Sequence, residues 1–142
     1  SGHRSVVRGL DAAARERLGF VRHCPVQFQR RVPGEDVRVH VVGQAWFATR
    51  IRSTATDYRY ATRESEQAVL EPMELPAALA QACLRLSRAL DLPFAGIDLR
   101  IAADGQAWCF EVNPCPGFSY YESQTGQPIA RALARYLAGL AD

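Results

Sequence analysis

The chain has 142 residues, 48% of them hydrophobic and 23% charged, with a formal charge of +2 from 17 basic and 15 acidic side chains. That composition is ordinary for a globular domain and argues against disorder, and so mild a charge excludes an argument for nucleic acid or an anionic membrane as partner. No apolar run approaches the roughly 20 residues of a membrane helix, and the polar, basic first ten residues show no signal-peptide pattern.

The opening "SGHRSVVRGL" has neither helical nor strand period and reads as the inside of a loop, as if the chain were a piece of something longer or began at a tag remnant. Leu10, Ala14 and Leu18 then recur at helical spacing, with Asp11 as cap and Gly19 as stop. In "CPVQFQRRVPG" Val26, Phe28 and Arg30 fall on one face of an expected strand, which Pro33-Gly34 breaks. A hairpin follows: Val37, Val39 and Val41 alternate with Arg38, His40 and Val42, Gly43-Gln44 turns, and residues 45–53 return. Residues 54–74 lack periodicity and read as a long loop. Residues 75–92 predict the strongest helix, with Leu79, Ala82, Cys83, Leu86 and Leu90 on its apolar stripe. "FAGIDLRIAADGQAWCFEVN" predicts a second hairpin around Asp104-Gly105. Residues 126–140 predict a closing helix with Ile129, Leu133, Tyr136, Leu137 and Leu140 inward. The order implies an α+β fold, an antiparallel sheet with flanking helices, in one domain with no internal boundary or repeat.

The chemistry concentrates in the second hairpin. Strand alternation puts Asp98 and Arg100 on one face, and Glu111 and Asn113 together on the returning strand. Pairing around Asp104-Gly105 sets Asp98 roughly opposite Glu111, so two carboxylates and an amide oxygen converge. These are the ligands a hard cation such as magnesium takes, with substrate phosphates completing the shell. The competing reading is a solvated sheet face with Arg100 as surface partner. An acid flanked by apolar residues in "FAGIDLRI" costs several kcal/mol if buried unpaired, which favours the site. Pro114 and Pro116 stiffen the exit from Asn113. Arg38, Arg50, Arg52 and Arg59 lie on or after the first hairpin, and their guanidinium forks suit phosphate and carboxylate. His3, His23 and His40 have no partners at metal-ligand or triad spacing and read as structural or surface residues. The four cysteines, Cys24, Cys83, Cys109 and Cys115, show no CxxC spacing, which argues against structural zinc. Reduced thiols in a cytosolic protein are the expectation, with a disulfide left open.

"FAGIDLRI…WCFEVNPCPGFSYYESQTGQPIARALARYL" resembles the carboxy-terminal half of ATP-grasp ligases, most closely the RimK-like branch with its peptide-tailoring carboxylate–amine ligases. The GxD…ExNxxPG spacing is the specific part. The resemblance implies that Asp98, Glu111 and Asn113 bind two magnesium ions, or manganese in their place, bridging the phosphates of ATP. Pro116-Gly117-Phe118 matches the turn beside the acceptor, and Tyr120, Tyr121 and Ser123 either flank a substrate channel or pack a loop. "VQFQRRVPGEDVRVHVVG" resembles the family hinge. Gln29, Arg30, Arg31 and Val32 would then face adenine, Asp36 would accept from the ribose hydroxyls, and Arg38 would complete the nucleotide-binding set. Many relatives carry Glu at the position of Gln29 or Arg30, a departure that leaves the adenine contacts open. Arg30 and Arg31 also read as a solvated charge run. Arg50 and Arg59 would serve the chemistry, with one or the other facing the cleft of Asp98 to hold the acyl-phosphate or the acceptor carboxylate.

The implied function is an ATP-dependent carboxylate–amine ligase acting on small-molecule or peptide acids and amines in the cytoplasm, without nucleic acid or membrane. A carboxylate attacks the γ-phosphate to give an acyl-phosphate, which an amine then opens. The rivals are a non-catalytic nucleotide-binding module and an ATP-grasp phosphotransferase. Residues 1–142 would be one carboxy-terminal nucleotide- and metal-binding portion, lacking the amino-terminal domain and the first clamp subdomain. That subdomain brings a lysine to the phosphates in the family, whereas every basic residue here is arginine. Residues 1–142 alone are therefore expected to bind ATP weakly and not turn it over.

Overall fold

The computed structural model describes residues 9–24, 26–52 and 68–140. The chain divides into two compact units, Ser1–Arg31 with Ser53–Ala68 and Val32–Arg52 with Val69–Asp142. In the first unit, helix α1 spans Ala12–Glu16, and Asp11 caps it by accepting from the Ala14 amide at 2.8 Å. A short 3₁₀ turn, Leu18–Arg22, follows. The strand expected over 26–32 is not formed. Residues 26–31 are exposed and irregular, with Val26 53% and Phe28 58% accessible. A strand needs a neighbour for its backbone groups, and no described residue pairs with this segment.

The second unit is built on one five-stranded antiparallel sheet, β1 Glu35–Val42, β2 Ala45–Arg52, β3 Val69–Met73, β4 Phe94–Ile101 and β5 Ala107–Asn113, in the order β3-β2-β1-β4-β5. β3 lies where sequence periodicity shows only a loop. Pro72 interrupts the pattern there, and a proline is tolerated because β3 is an edge strand. The two hairpin turns fall as the glycines suggest, with Gly43 at φ 59° and Gly105 at φ 83°.

Helix α2, Ala77–Ala89, packs on one face of the sheet. Val37, Val39, Val41, Ala48, Ile97 and Leu99 meet Leu75, Ala80, Cys83 and Leu84 in the core. The helix is rotated from the expected stripe: Ser87 is buried, while Leu90 is 48% accessible. The helix closes just past Leu90, where Asp91 adopts a left-handed conformation at φ 55° and Leu92 N–H bonds the Ser87 carbonyl at 3.0 Å.

The other face carries Asp36, Arg38 and His40. Its β1–β2 part is covered by α3, Ser119–Thr125, and the connection to α4, Ile129–Leu137. The hydroxyl-rich stretch is thus a helix, ended by Gly126 at φ 70°. Gln127 fastens this layer: its amide donates to the Ala48 carbonyl at 3.0 Å and its oxygen accepts from buried Thr49 at 3.0 Å. Cover on both faces explains why β1 is buried along most of its length rather than at alternate residues. Leu137 and Leu140, expected inward, are 76% and 60% accessible, because Ala138 caps α4 and Gly139 turns the chain at φ 69°.

Candidate functional site

The β4–β5 hairpin decides where the acids point. Its register starts regularly from the turn, with Ile101 opposite Ala107, Arg100 opposite Trp108 and Leu99 opposite Cys109. Continued without change, it would place Phe110 opposite Asp98 and turn Glu111 toward the α2 core. A β-bulge between Leu99 and Asp98 intervenes, and Asp98 pairs with Glu111, Ile97 with Val112 and Gly96 with Asn113. One extra residue reverses the facing of everything beyond it. Val112 packs into the core, and Asp98, Glu111 and Asn113 share the opposite face. Period-two reasoning about the hairpin could not see this bulge.

Asp98 rests against a buried cation. Arg38 Nη1 donates to Asp98 Oδ1 at 2.8 Å, Arg38 itself is 6% accessible, and its guanidinium lies 5.7 Å from the centre of the Tyr121 ring. The glycine of the GxD motif follows from that placement. A Cβ on Gly96 would collide with Arg38 Nη2 and stand 2.6 Å from both Arg38 Cζ and Pro116 Cβ. Asn113 Oδ1 accepts the Cys115 amide at 2.8 Å, which orients the side chain at the end of β5 and leaves an oxygen lone pair for another partner. Glu111 is exposed, and its carboxylate makes no hydrogen bond or ion pair among the described residues. The donor set is therefore two carboxylates and one amide oxygen, which suits a hard divalent cation. Among the described residues no three His, Cys, Asp or Glu side chains gather as a metal cluster.

Beside these residues on the same face, Arg100 pairs with Asp36 at 2.6 Å and donates to the Val32 carbonyl at 3.2 Å. Phe110 also stands on this side, its ring centre 6.0 Å from Arg100. Arg100 was not in the expected nucleotide set. Its shared parity with Asp98 is the signal that could have included it.

The remaining expected residues fall elsewhere. Arg50 was expected in the cleft of Asp98, but it pairs across the strands with Val37 and therefore lies on the α2 face of the sheet. There it meets Glu35 at 3.1 Å and lines an open groove of about 440 Å³ with Met73, Leu79 and Ile101. Arg59 lies outside the described residues. Gln29, Arg30 and Arg31 are exposed residues of the first unit, whereas Val32, Asp36 and Arg38 belong to the second. Of the channel residues, Tyr121 is buried against His40 with ring centres 4.8 Å apart, Tyr120 is 53% accessible, and Ser123 donates to the Tyr120 carbonyl at 2.8 Å.

His40 is inaccessible to solvent and hydrogen-bonds the Gly117 carbonyl at 3.3 Å through Nε2. Burial, helped by the Arg38 charge and opposed by the Gly117 bond, lowers its pKa to about 4, so it is neutral near pH 7. All four cysteines are free thiols. Burial raises Cys83 to about 11 and also raises Cys109, which makes both poor nucleophiles. No helix among the described residues is long and apolar enough to cross a membrane.

Comparison with known proteins places this geometry. Residues 20–137 match the RimK-like ATP-grasp domain. Beta-citrylglutamate synthase B of Homo sapiens is 32% identical over 125 residues, covering 85% of this chain and 32% of that protein. A probable alpha-L-glutamate ligase of Cellvibrio japonicus is 29% identical over 111 residues, covering 78% of this chain and 36% of its own length. This chain thus spans about a third of these relatives. The ATP-grasp ligase PsnB complexed with minimal precursor is 26% identical and superposes with a TM-score of 0.80 over 99% of this chain and 45% of that one. The same enzyme complexed with minimal precursor, Mg and ADP is 25% identical, with a TM-score of 0.64 over 80% of this chain and 35% of that one. Match and superposition together show that this chain belongs to the RimK-like ATP-grasp family.

Proposed function

We propose that the chain forms the metal-binding half of the active site of an ATP-dependent carboxylate–amine ligase. The observation that carries this reading is the bulged hairpin, which sets Asp98, Glu111 and Asn113 on one face with Arg38 behind them. Glutamate ligases and synthases among the relatives, and a solved ligase with Mg and ADP, support it. Asp98, Glu111 and Asn113 would hold magnesium, or manganese in its place. The ion would neutralise phosphate charge as it shifts from ATP to the substrate acid.

The chain's own groups do the rest. Arg38 compensates Asp98 when no cation is near and keeps its carboxylate aimed at the open face. Glu111 and Asn113 supply oxygens from the neighbouring strand. Asp36 is proposed to meet the ribose, and Gln29 to Val32 the base. Arg59 is proposed for the acyl-phosphate or acceptor carboxylate. Arg50 is not retained in that role, because it lies on the other face of the sheet. The substrate carboxylate attacks the γ-phosphate and releases ADP, and an amine displaces phosphate from the acyl-phosphate. The barrier falls through positioning and fixed charge, without a protein nucleophile. Small-molecule or peptide acids and amines are the proposed substrates. The cytoplasm is the proposed compartment, which the four free thiols suit.

The test is ADP release by the intact protein with panels of acids and amines, with amide product measured alongside. ADP together with amide supports the ligase. ADP with a stable phosphorylated acid supports a phosphotransferase, and nucleotide binding without either product supports a binding module.

A further inference from the structure

The turn from β5 into α3 carries Asn113 at its start, and its own backbone does little to hold it. Pro114 and Pro116 have no N–H to donate. Three contacts fix it instead. Asn113 Oδ1 accepts the Cys115 amide at 2.8 Å, buried Pro116 lies against Gly96, and the Gly117 carbonyl meets His40 Nε2 at 3.3 Å. A carbonyl only accepts, so the neutral ring must carry its proton on Nε2.

That proton assignment leaves Nδ1 bare. Nδ1 is buried and has no hydrogen-bond partner among the described residues. Burying a polar ring with one nitrogen unpaired opposes folding. A phenylalanine in the same place would keep the edge contact with Tyr121 and bury no polar atom. Packing alone therefore does not account for a histidine at the centre of β1, and its single bond to the turn does.

We propose that His40 is a positioning residue: its Nε2–H pins the Gly117 carbonyl and so holds the Asn113–Phe118 turn in the orientation that presents Asn113 beside Glu111 and Asp98. The chemical class served is a divalent cation with a nucleotide phosphate, so the affinity readout rests on the metal site proposed above. The orientation of the turn does not depend on that reading.

Three substitutions separate the bond from the packing. His40→Phe keeps a ring but no donor, His40→Gln puts an amide N–H near the place of Nε2, and His40→Asn puts one near the place of Nδ1. In the intact protein, Mn²⁺ binding in the presence of ADP should weaken about tenfold in His40→Phe, as for loss of a partner that orients a metal ligand. His40→Gln should recover most of the affinity and His40→Asn should not. Equal affinity in wild type and His40→Phe would overturn the proposal. If the wild type binds no Mn²⁺, the metal reading fails, and backbone amide shifts decide about His40. Shifts of Cys115, Gly117 and Phe118 that move in His40→Phe and return in His40→Gln support it. Unmoved shifts in both overturn it. If His40→Phe does not fold, the decision passes to a through-bond coupling between His40 Nε2 and the Gly117 carbonyl in the wild type. A detected coupling supports the pin, and its absence overturns it.

Discussion

The β1–β2 and β4–β5 hairpins belong to one sheet and begin from the same alternating pattern, yet they end as different objects. β1 and β2 keep an unbroken register from Asp36 opposite Ile51 to Val42 opposite Ala45, and β1 is buried on both faces. β4 and β5 change register at Asp98, and no residue of β5 is fully buried. Under double cover a charge survives only with a partner, as Arg38 does on Asp98, and a histidine survives only as the neutral ring. With one face open, an acid such as Glu111 stays solvated and available to a ligand. The covered hairpin supplies rigidity and a counter-charge, and the bulged hairpin presents the oxygen atoms proposed to hold a cation.

The sharpest way to break that comparison is to remove the exposed acid. Glu111→Ala should lower turnover of the intact protein by about a hundredfold or more, the scale expected for losing a preorganised electrostatic group. Melting temperature should hardly change, since Glu111 is exposed and makes no ion pair among the described residues. A rate near wild type would remove Glu111 from the site.

The next effect lies on the covered side. The His40 pKa is about 4 in the folded protein and 6.5 when unfolded, so the unfolded state binds more protons between those values. Stability contributed by this group is complete above pH 6.5 and is lost as pH falls toward 4. A shift of this size corresponds to a loss on the order of 3 kcal/mol. Denaturant titrations across that range should show a shallower acid slope in His40→Gln than in wild type. Identical slopes would show that His40 is not held neutral.

A smaller loss is expected where the two hairpins touch. Gly96→Ala drives a methyl into Arg38 and Pro116 and should cost about 1–3 kcal/mol by overpacking. The same change should weaken cation binding, because Arg38 can no longer hold Asp98. Urea melts and Mn²⁺ titration check both parts. Loss of stability with unchanged affinity would uncouple Arg38 from the site.

The smallest effect is predicted at the arginine that fell on the wrong face. Arg50→Ala breaks the partly exposed pair with Glu35 and no other ion pair among the described residues, and should cost about 0–1 kcal/mol. The kcat of the intact protein should stay at the wild-type value. A large fall in kcat would restore Arg50 to the chemistry.

The local periods of this sequence were enough for the core. Valines at alternate positions of β1 and the glycine turns each state a local preference that the fold obeys, and the apolar period of α2 gave the helix though not the face it buries. The ExN and GxD motifs likewise mark carboxylate and amide oxygens that the structure gathers on one face, since that chemistry belongs to the side chains themselves. What only the tertiary structure decided is orientation. Pairing around Asp104-Gly105 already sets Asp98 opposite Glu111, but the bulge through which the strands reach that pairing leaves no mark in hydrophobic period. Arg50 and Arg38 look alike in a list of strand arginines, but opposite parity sends one to the α2 groove and the other beneath the acids. β3 is a strand because β2 lies beside it, whereas residues 26–31 form no strand of the described sheet. Residue type sets which chemistry is available, and pairing, which depends on partners distant in the chain, sets which way that chemistry faces.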